Sequence, residues 1–168
     1  GASRGIGAAI SKELGKSGAR IAIHYNKEKE SAEEIAQIIG NNSKIFKANL
    51  QDPDNCEMLF KDVLEEFGHI DAIINNAGTA ILSPLNSKNW VKEWDETMSI
   101  NLRAVGILCN LAIQHFKTRK CGRIINIASR SAFRGDTAEY LAYAASKAGV
   151  VSLSKSIARA FGKDGITC

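Results

Sequence analysis

The chain has 168 residues, of which 45% are hydrophobic and 24% are charged, so it can bury a core and is too apolar for a disordered segment. Its net charge of +4 comes from 22 basic and 18 acidic residues spread along the sequence. The densest charge run, residues 27–30, alternates in sign, which argues against a nucleic-acid partner and leaves room for a small anionic ligand.

Cysteine and histidine positions argue against a metal site. The four cysteines form no C-x-x-C pair and have no histidine at ligand spacing, so we expect reduced thiols and no bound metal. No apolar run approaches the roughly 20 residues that span a bilayer. We therefore expect a cytoplasmic protein without a membrane partner.

Helical and strand periodicities alternate along the chain, and the strands are short apolar runs of the kind that is buried on both faces. In chain order we expect a helix over 6–17, a strand over 19–25, a helix over 29–40, a strand over 44–50, a helix over 53–67, a strand over 71–78, a helix over 90–118, a strand over 122–129, a helix over 139–162 and the opening of a strand over 165–168. This order predicts an α/β fold with a doubly wound parallel sheet (Rossmann-type) in three α/β/α layers.

Both ends of the sequence lie at points where a parallel sheet would continue. A glycine-rich turn such as the one at Gly1 normally follows a strand, and a parallel strand at 165–168 normally has crossover partners. We therefore expect residues 1–168 to form a single domain that is incomplete, with its first strand and a C-terminal segment outside this sequence.

The stretch GASRGIG places glycines at positions 1, 5 and 7 directly before a helix. Glycine lets backbone N–H groups approach a ligand closely, and a helix N-terminus offers free N–H donors and a positive dipole end to a phosphate. The spacing differs from both G-x-G-x-x-G and the Walker sequence, so a tight turn without a ligand is an equally valid interpretation of these glycines alone.

Taken together, five motifs in order resemble the short-chain dehydrogenase/reductase family, and the resemblance covers essentially the whole chain. The motifs are GASRGIG (whose usual form begins with Thr-Gly, so that the Thr would precede Gly1), NNAG over 75–78, Asn101, NIAS over 126–129, and Y-x-x-x-K formed by Tyr143 and Lys147. Within the family the sequence looks most like the 3-oxoacyl-[acyl-carrier-protein] reductase branch, notably in IAIHYN, NNAG and YAASKAGV.

Helix geometry distinguishes the two tyrosines of YLAYAASK. Residues four apart share a helix face, so Tyr143 has Lys147 beside it, whereas Tyr140 has Ala144. A nearby cation stabilises a phenolate and suits that phenol for acid–base chemistry. We therefore expect Tyr143 to be the acid–base residue, as the family resemblance also implies, and Tyr140 to line the pocket or pack.

The resemblance implies further catalytic roles. Ser129, at the end of a predicted strand, would polarise the substrate oxygen, with Ser131 as a rival because the spacing from Ser129 to Tyr143 is one residue longer than is usual in the family. Asn101 would hold a water that links Lys147 to solvent, although a helix kink or a surface amide is an alternative role for it. Lys147 would also bind the nicotinamide ribose.

The resemblance also implies a nicotinamide cofactor, and we expect NADPH (NADP+) rather than NADH. The second strand ends in His24-Tyr25-Asn26 without an acid for the ribose 2′-hydroxyl, and Arg4 suits a 2′-phosphate. Asn49 replaces the usual aspartate of the family, and the nearby Asp52 is expected to cap a helix. The expected cofactor-binding residues are Gly1, Ser3, Arg4, Gly5, Ile6, Gly7, Tyr25, Asn26, Asn49, Leu50, Asn76, Ala77, Gly78, Tyr143 and Lys147.

The function expected from this resemblance is NADPH-dependent reduction of a ketone, with Tyr143 as the proton donor and a small-molecule or carrier-bound carbonyl compound as the substrate. Two alternatives remain open: a sugar, polyol or steroid dehydrogenase of the same family, and a non-catalytic protein that retains the fold. The family also implies a homo-oligomer, either a dimer or a tetramer, although a monomer is compatible with the sequence.

Overall fold

Five short strands and seven α-helices alternate along the chain, and the computed structural model describes all residues from 1 to 168. The strands are β1 (Ala22–Tyr25), β2 (Lys44–Lys47), β3 (Ala72–Asn75), β4 (Gly122–Asn126) and β5 (Ile166–Thr167). The helices are α1 (Gly5–Lys16), α2 (Lys29–Ile39), α3 (Pro53–Phe67), α4 (Trp90–Met98), α5 (Ala104–Arg119), α6 (Ser131–Arg134) and α7 (Leu141–Phe161).

All strand pairs are parallel, as the alternation of elements predicted. β1 pairs with β2 in one sheet, and a second sheet has the order β3-β4-β5. In the second sheet Asn75 lies opposite Asn126, so the carboxyl ends of neighbouring strands share one edge. The α/β fold class is confirmed, but the strands form two separate sheets rather than the single sheet that the sequence predicts.

Element boundaries differ from the sequence prediction in two places that concern the site. The expected helix over 90–118 is interrupted by a π-helical turn, Ser99–Arg103, between α4 and α5. The short helix α6 lies in a stretch where the sequence indicates no element. By contrast, α3 has the predicted bounds because Pro53 occupies its first turn and the Asp52 side chain accepts the N–H of Asp54 at 3.0 Å, which confirms Asp52 as its cap.

Two apolar clusters hold the helices on the sheets. The larger contains fifteen buried residues from the segment between β2 and α3, from α3, α5 and α7, and from the three-stranded sheet, with Phe116 and Ala112 fully buried. The smaller contains five, and it packs α1 and α2 on β1 around Ile23. None of the helices is both long and apolar enough to cross a membrane.

An apolar slot of about 580 Å³ separates β1 from β3. In β1 the carbonyls of Ile21 and Tyr25 accept bonds from the β2 side, so the alternate backbone groups, those of Ala22 and His24, face the slot. In β3 the carbonyls of Asp71 and Asn75 accept bonds from the β4 side. The alternate groups of Ala72 and Ile74 therefore face the slot from its other wall.

The backbone at Gly1 and Ala2 lies at one end of this slot. The N–H of Ala2 donates to the carbonyl of His24 at 2.9 Å, and the Asn76 side chain donates to the carbonyl of Gly1 at 2.7 Å. We propose that a further parallel strand, leading into Gly1, fits the slot and joins the two sheets.

An apolar extension of about five residues, the length of an ordinary strand, is expected to raise the melting temperature when it is fused before Gly1. Eighteen of the 27 lining residues are hydrophobic, so the extension should consist of residues such as Val and Ile. A Gly/Ser extension of equal length is the control. Equal melting temperatures for the two fusions would contradict the proposal.

Candidate active site

The glycine-rich turn is packed so closely that Gly1 and Gly7 have no room for a Cβ. A Cβ on Gly7 would lie 1.9 Å from the carbonyl oxygen of Gly1, and a Cβ on Gly1 would lie 2.7 Å from the Cα of Ala77. Gly5 has φ +56° with open space around it, a backbone conformation that favours glycine. The turn is therefore fixed by close backbone packing, and its outer side is accessible.

Free backbone donors surround this accessible side. Helix α1 begins at Gly5 without a side-chain cap and without an acidic residue in its first turn, so its first N–H groups have no partner within the helix. Arg4 is exposed beside them. Open space, free N–H donors and a positive helix end fit the pyrophosphate of a dinucleotide.

The NNAG stretch connects this turn to the rest of the site. The Asn75 side chain donates to the Asn126 side chain at 2.7 Å and so links the ends of β3 and β4, while Asn76 reaches the turn at Gly1. A Cβ on Gly78 would lie 3.3 Å from Asn101 Oδ1 and 3.6 Å from Lys147 Nζ. Gly78 therefore marks the point where two predicted catalytic residues converge.

Asn101 lies in the π-helical turn and has no exposed surface. Its Oδ1 accepts the N–H of Thr79 at 2.8 Å, and its Nδ2 donates to the carbonyl of Thr79 at 2.8 Å and to Ser146 Oγ at 3.1 Å. π-turns inside α-helices are rare and occur frequently at functional sites. The carboxamide is thus a three-way connection between the NNAG loop, the interrupted helix and α7.

Lys147 and Tyr143 share one face of α7, as their spacing predicted. Lys147 is 6% exposed, its Nζ donates to the carbonyl of Ile127 at 2.7 Å, and Nζ lies 5.9 Å from the centroid of the Tyr143 ring. Burial lowers the pKa of the Lys147 ammonium. The half-buried Tyr143 phenol therefore has a desolvated basic group as its neighbour.

The structure distinguishes between the two candidate serines. The Ser131 side chain is 5% exposed and its hydroxyl donates to the Asp136 carboxylate. Ser129 is half-buried at the end of β4 and accepts the N–H of Ser131 at 3.2 Å. Ser131 Oγ is thus engaged by Asp136, whereas the more exposed Ser129 donates to Ser131 Oγ at 3.2 Å and stays the predicted substrate-binding serine.

The residues expected on the adenine side occupy diverse surroundings. The Tyr25 and Leu50 side chains are buried in the two apolar clusters, so only their backbone could contact a cofactor. Asn26 and Asn49 are exposed, and Asn49 Oδ1 accepts the N–H of Gln51 at 3.2 Å. The contacts of Ser3, Ile6 and Ala77 do not test their expected roles in cofactor binding, which stay predictions.

Four supporting groups were missed from the sequence: Thr79, the carbonyl of Ile127, Ser146 and Asp136. Thr79 and Ile127 act through backbone atoms, which any residue type supplies. Ser146 lies directly before Lys147 and three residues after Tyr143, whose carbonyl accepts its hydroxyl at 2.7 Å. The i, i+3 spacing of Tyr143 and Ser146 was the one feature of the sequence that could have indicated a supporting role for Ser146.

Comparison with known proteins gives the class of this chain. Its sequence matches the short chain dehydrogenase family over residues 1–168. The chain is 35% identical to the 3-oxoacyl-[acyl-carrier-protein] reductase FabG of Staphylococcus aureus, an alignment that covers 99% of this chain and 68% of that protein. The enzyme of the same name from Salmonella typhimurium is also 35% identical, with 99% and 67% covered.

Solved structures agree with this assignment. A metagenomic short-chain oxidoreductase in complex with NADP superposes with a TM-score of 0.91 at 32% identity, covering 99% of this chain and 76% of that one. The fold of acetoin dehydrogenase YohF from Salmonella typhimurium matches with a TM-score of 0.90 at 24% identity, over 98% and 66% of the two chains.

The chain therefore belongs to the short-chain dehydrogenase family. It is an NAD(P)-dependent oxidoreductase of the group that acts on CH–OH and carbonyl carbons. Its nicotinamide cofactor fits the open glycine turn and the free N–H groups of α1 described above.

Replacing Asn101 with alanine is expected to destabilise the protein by about 2–4 kcal/mol, because it leaves the N–H and the carbonyl of the half-buried Thr79 and the hydroxyl of Ser146 without this partner. Chemical denaturation measures this loss. Asn89→Ala is the control, since Asn89 precedes α4 without a side-chain cap bond. Similar unfolding midpoints for the two variants would show that the carboxamide does not organise the site.

Proposed function

We propose that this chain catalyses the NADPH-dependent reduction of a ketone to a secondary alcohol, most specifically of a 3-oxoacyl group carried by acyl carrier protein. The observation that carries the proposal is the buried Lys147 ammonium beside Tyr143, next to a glycine turn that fits a dinucleotide. A desolvated ammonium in a cleft beside a phenol is typical of a functional site, which favours a chemical role for Lys147.

The residues divide the chemistry among them. Tyr143 donates its phenolic proton to the carbonyl oxygen, and the positive charge of Lys147 stabilises the phenolate that remains. Ser129 holds the same oxygen by a hydrogen bond while negative charge develops on it. The cofactor, when bound, supplies the hydride.

Lys147 is itself held in place by its surroundings. Its Nζ donates to the carbonyl of Ile127, the residue after β4. The Asn101–Ser146 bond holds the adjacent residue of α7. Consequently the distance between the ammonium and the phenol is set by the fold before any ligand binds. Such preorganisation is the property that electrostatic catalysis requires.

The preference for NADPH is supported by charge. Arg4 is exposed in the glycine turn, and the first two exposed residues after β1 are Asn26 and Lys27, with no acid before Glu28. A guanidinium pairs well with a phosphate, and an aspartate or glutamate at the end of β1 would repel one. The metagenomic relative is a complex with NADP, which agrees with this choice.

The substrate class rests on the two reductases of Staphylococcus aureus and Salmonella typhimurium, each 35% identical to this chain. Sugar, polyol or steroid alcohols are the alternative within the family, and comparison of their turnover with that of 3-oxoacyl thioesters decides between them. Assembly into a dimer or tetramer stays a prediction from the family.

Replacing Tyr143 with phenylalanine is expected to lower the rate of NADPH oxidation with acetoacetyl thioesters by about 10²–10⁴-fold, the usual contribution of a positioned proton donor. Tyr140→Phe, the matched variant one helical turn earlier, should cost less than tenfold. The absorbance of NADPH at saturating substrate measures both. Equal rates for wild type and Tyr143→Phe would remove the mechanism, and an inactive wild type with all carbonyl classes would favour a non-catalytic protein.

Replacing Arg4 with alanine is expected to lower kcat/KM for NADPH roughly tenfold or more, the size of a charge-assisted hydrogen bond, with little change for NADH. Lys16→Ala at the opposite end of α1 is the control, because Lys16 pairs with Glu13 on the surface. A wild-type preference for NADH would contradict the choice of cofactor.

A further inference from the structure

Three side chains behind the proposed substrate site form a chain of hydrogen bonds. Ser129 Oγ lies 3.2 Å from Ser131 Oγ, and Ser131 Oγ in turn bonds the carboxylate of Asp136. Ser131 is buried, Ser129 is half-buried and Asp136 is exposed. This series of hydrogen bonds therefore runs from the segment after β4, through the start of α6, to the surface.

The direction of the protons along this chain follows from the chemistry of the groups. An ionised carboxylate can only accept hydrogen bonds, so the hydroxyl of Ser131 donates to Asp136. Ser131 has a single hydroxyl proton, so its oxygen can only accept from Ser129. The hydroxyl proton of Ser129 is thereby directed away from the substrate and toward Ser131.

Ser129 then presents a lone pair rather than a proton to the pocket. Its oxygen accepts the N–H of Ser131 at 3.2 Å, which leaves one lone pair unused. Such an oxygen suits an alcohol, which donates, better than a ketone, which accepts. The Ser129–Ser131 bond is long for an O–H···O pair. A ketone oxygen can therefore displace Ser131 and accept the hydrogen bond from the Ser129 hydroxyl.

We propose that Asp136, acting through Ser131, is a positioning residue that sets the hydrogen-bond polarity of Ser129, so that the site binds the alcohol more tightly and the ketone less tightly than a free serine would. This inference concerns the same site as the proposed function and rests on it for its kinetic consequence. Its structural part, the coupling of Ser129 to Asp136, does not depend on turnover.

The surroundings of Asp136 keep its carboxylate ionised. The hydrogen bond from Ser131 holds the pKa of this carboxyl below its ordinary value, and the N–H of Thr137 and the charges of Arg134 and Arg130 act in the same direction. The carboxylate is therefore an acceptor throughout the neutral pH range, and the proton order of the chain is kept there.

Carboxyl NMR titration tests the coupling in the full chain. Ser131→Ala should shift the Asp136 pKa upward, because it removes the strongest hydrogen bond to the carboxylate, and Ser129→Ala should shift it less in the same direction. Ser156→Ala, whose hydroxyl bonds its own helix backbone, is the control. An Asp136 titration that is identical in wild type and Ser131→Ala would overturn the proposal whether or not the chain is a reductase.

Kinetics in both directions test the consequence, with acetoacetyl and 3-hydroxybutyryl thioesters as probes. Asp136→Ala and Ser131→Ala should each lower the KM for the ketone and raise that for the alcohol, by roughly three- to tenfold, the size of one hydrogen bond. Glu139→Gln removes a nearby half-buried charge that is not part of the Ser129–Ser131–Asp136 hydrogen bonds, and it should change neither KM. The ratio of the two kcat/KM values stays constant, since the overall equilibrium is fixed.

The possible results separate the two ideas. If wild type turns over both probes and Asp136→Ala leaves both KM values unchanged, the positioning role is wrong and the proposed function stands. If wild type turns over neither probe while Ser131→Ala shifts the Asp136 titration, the coupling stands and the proposed substrate is wrong.

Discussion

The buried carboxamide of Asn101 is the interaction on which the rest of the site depends. It is the only side chain that reaches the loop after β3, the π-turn and α7 at once, through both backbone groups of Thr79 and the hydroxyl of Ser146. Asn101 lies in the π-turn Ser99–Arg103, a local distortion of a kind that is rare in helices and frequent at functional sites.

From that connection the position of the basic group follows. Ser146 precedes Lys147, so fixing Ser146 fixes the start of the lysine side chain, and the carbonyl of Ile127 fixes its end. The ammonium is desolvated, which disfavours its charged form and lowers its pKa. Folding is opposed by this burial, and such local costs are typical of places where a protein arranges chemistry rather than stability.

The glycine turn shows a second kind of constraint, one of space. Gly1, Gly7 and Ala77 approach so closely that a single added methyl group would collide with backbone, and Asn76 fastens the contact. The turn is consequently a rigid edge shared by both sheets, although the sheets themselves are separated by the apolar slot between β1 and β3. The NNAG stretch thus contacts both parts of the site: Asn76 bonds the turn before the N–H donors of α1, and Gly78 lies beside Lys147 of the acid–base pair.

The sequence by itself determined the fold class, the order of the elements and the pair of Tyr143 and Lys147, because periodicity and an i, i+4 spacing are local properties of the chain. It also identified Asp52 as a cap, for the same reason. Tertiary structure alone decided the π-turn at Asn101 and the bond of Ser131 to Asp136. These depend on contacts between residues that are distant in the chain, or on which of two neighbouring hydroxyls is already engaged by a carboxylate. Neither leaves a periodic trace in the sequence, since a backbone carbonyl such as that of Ile127 is present whatever the side chain.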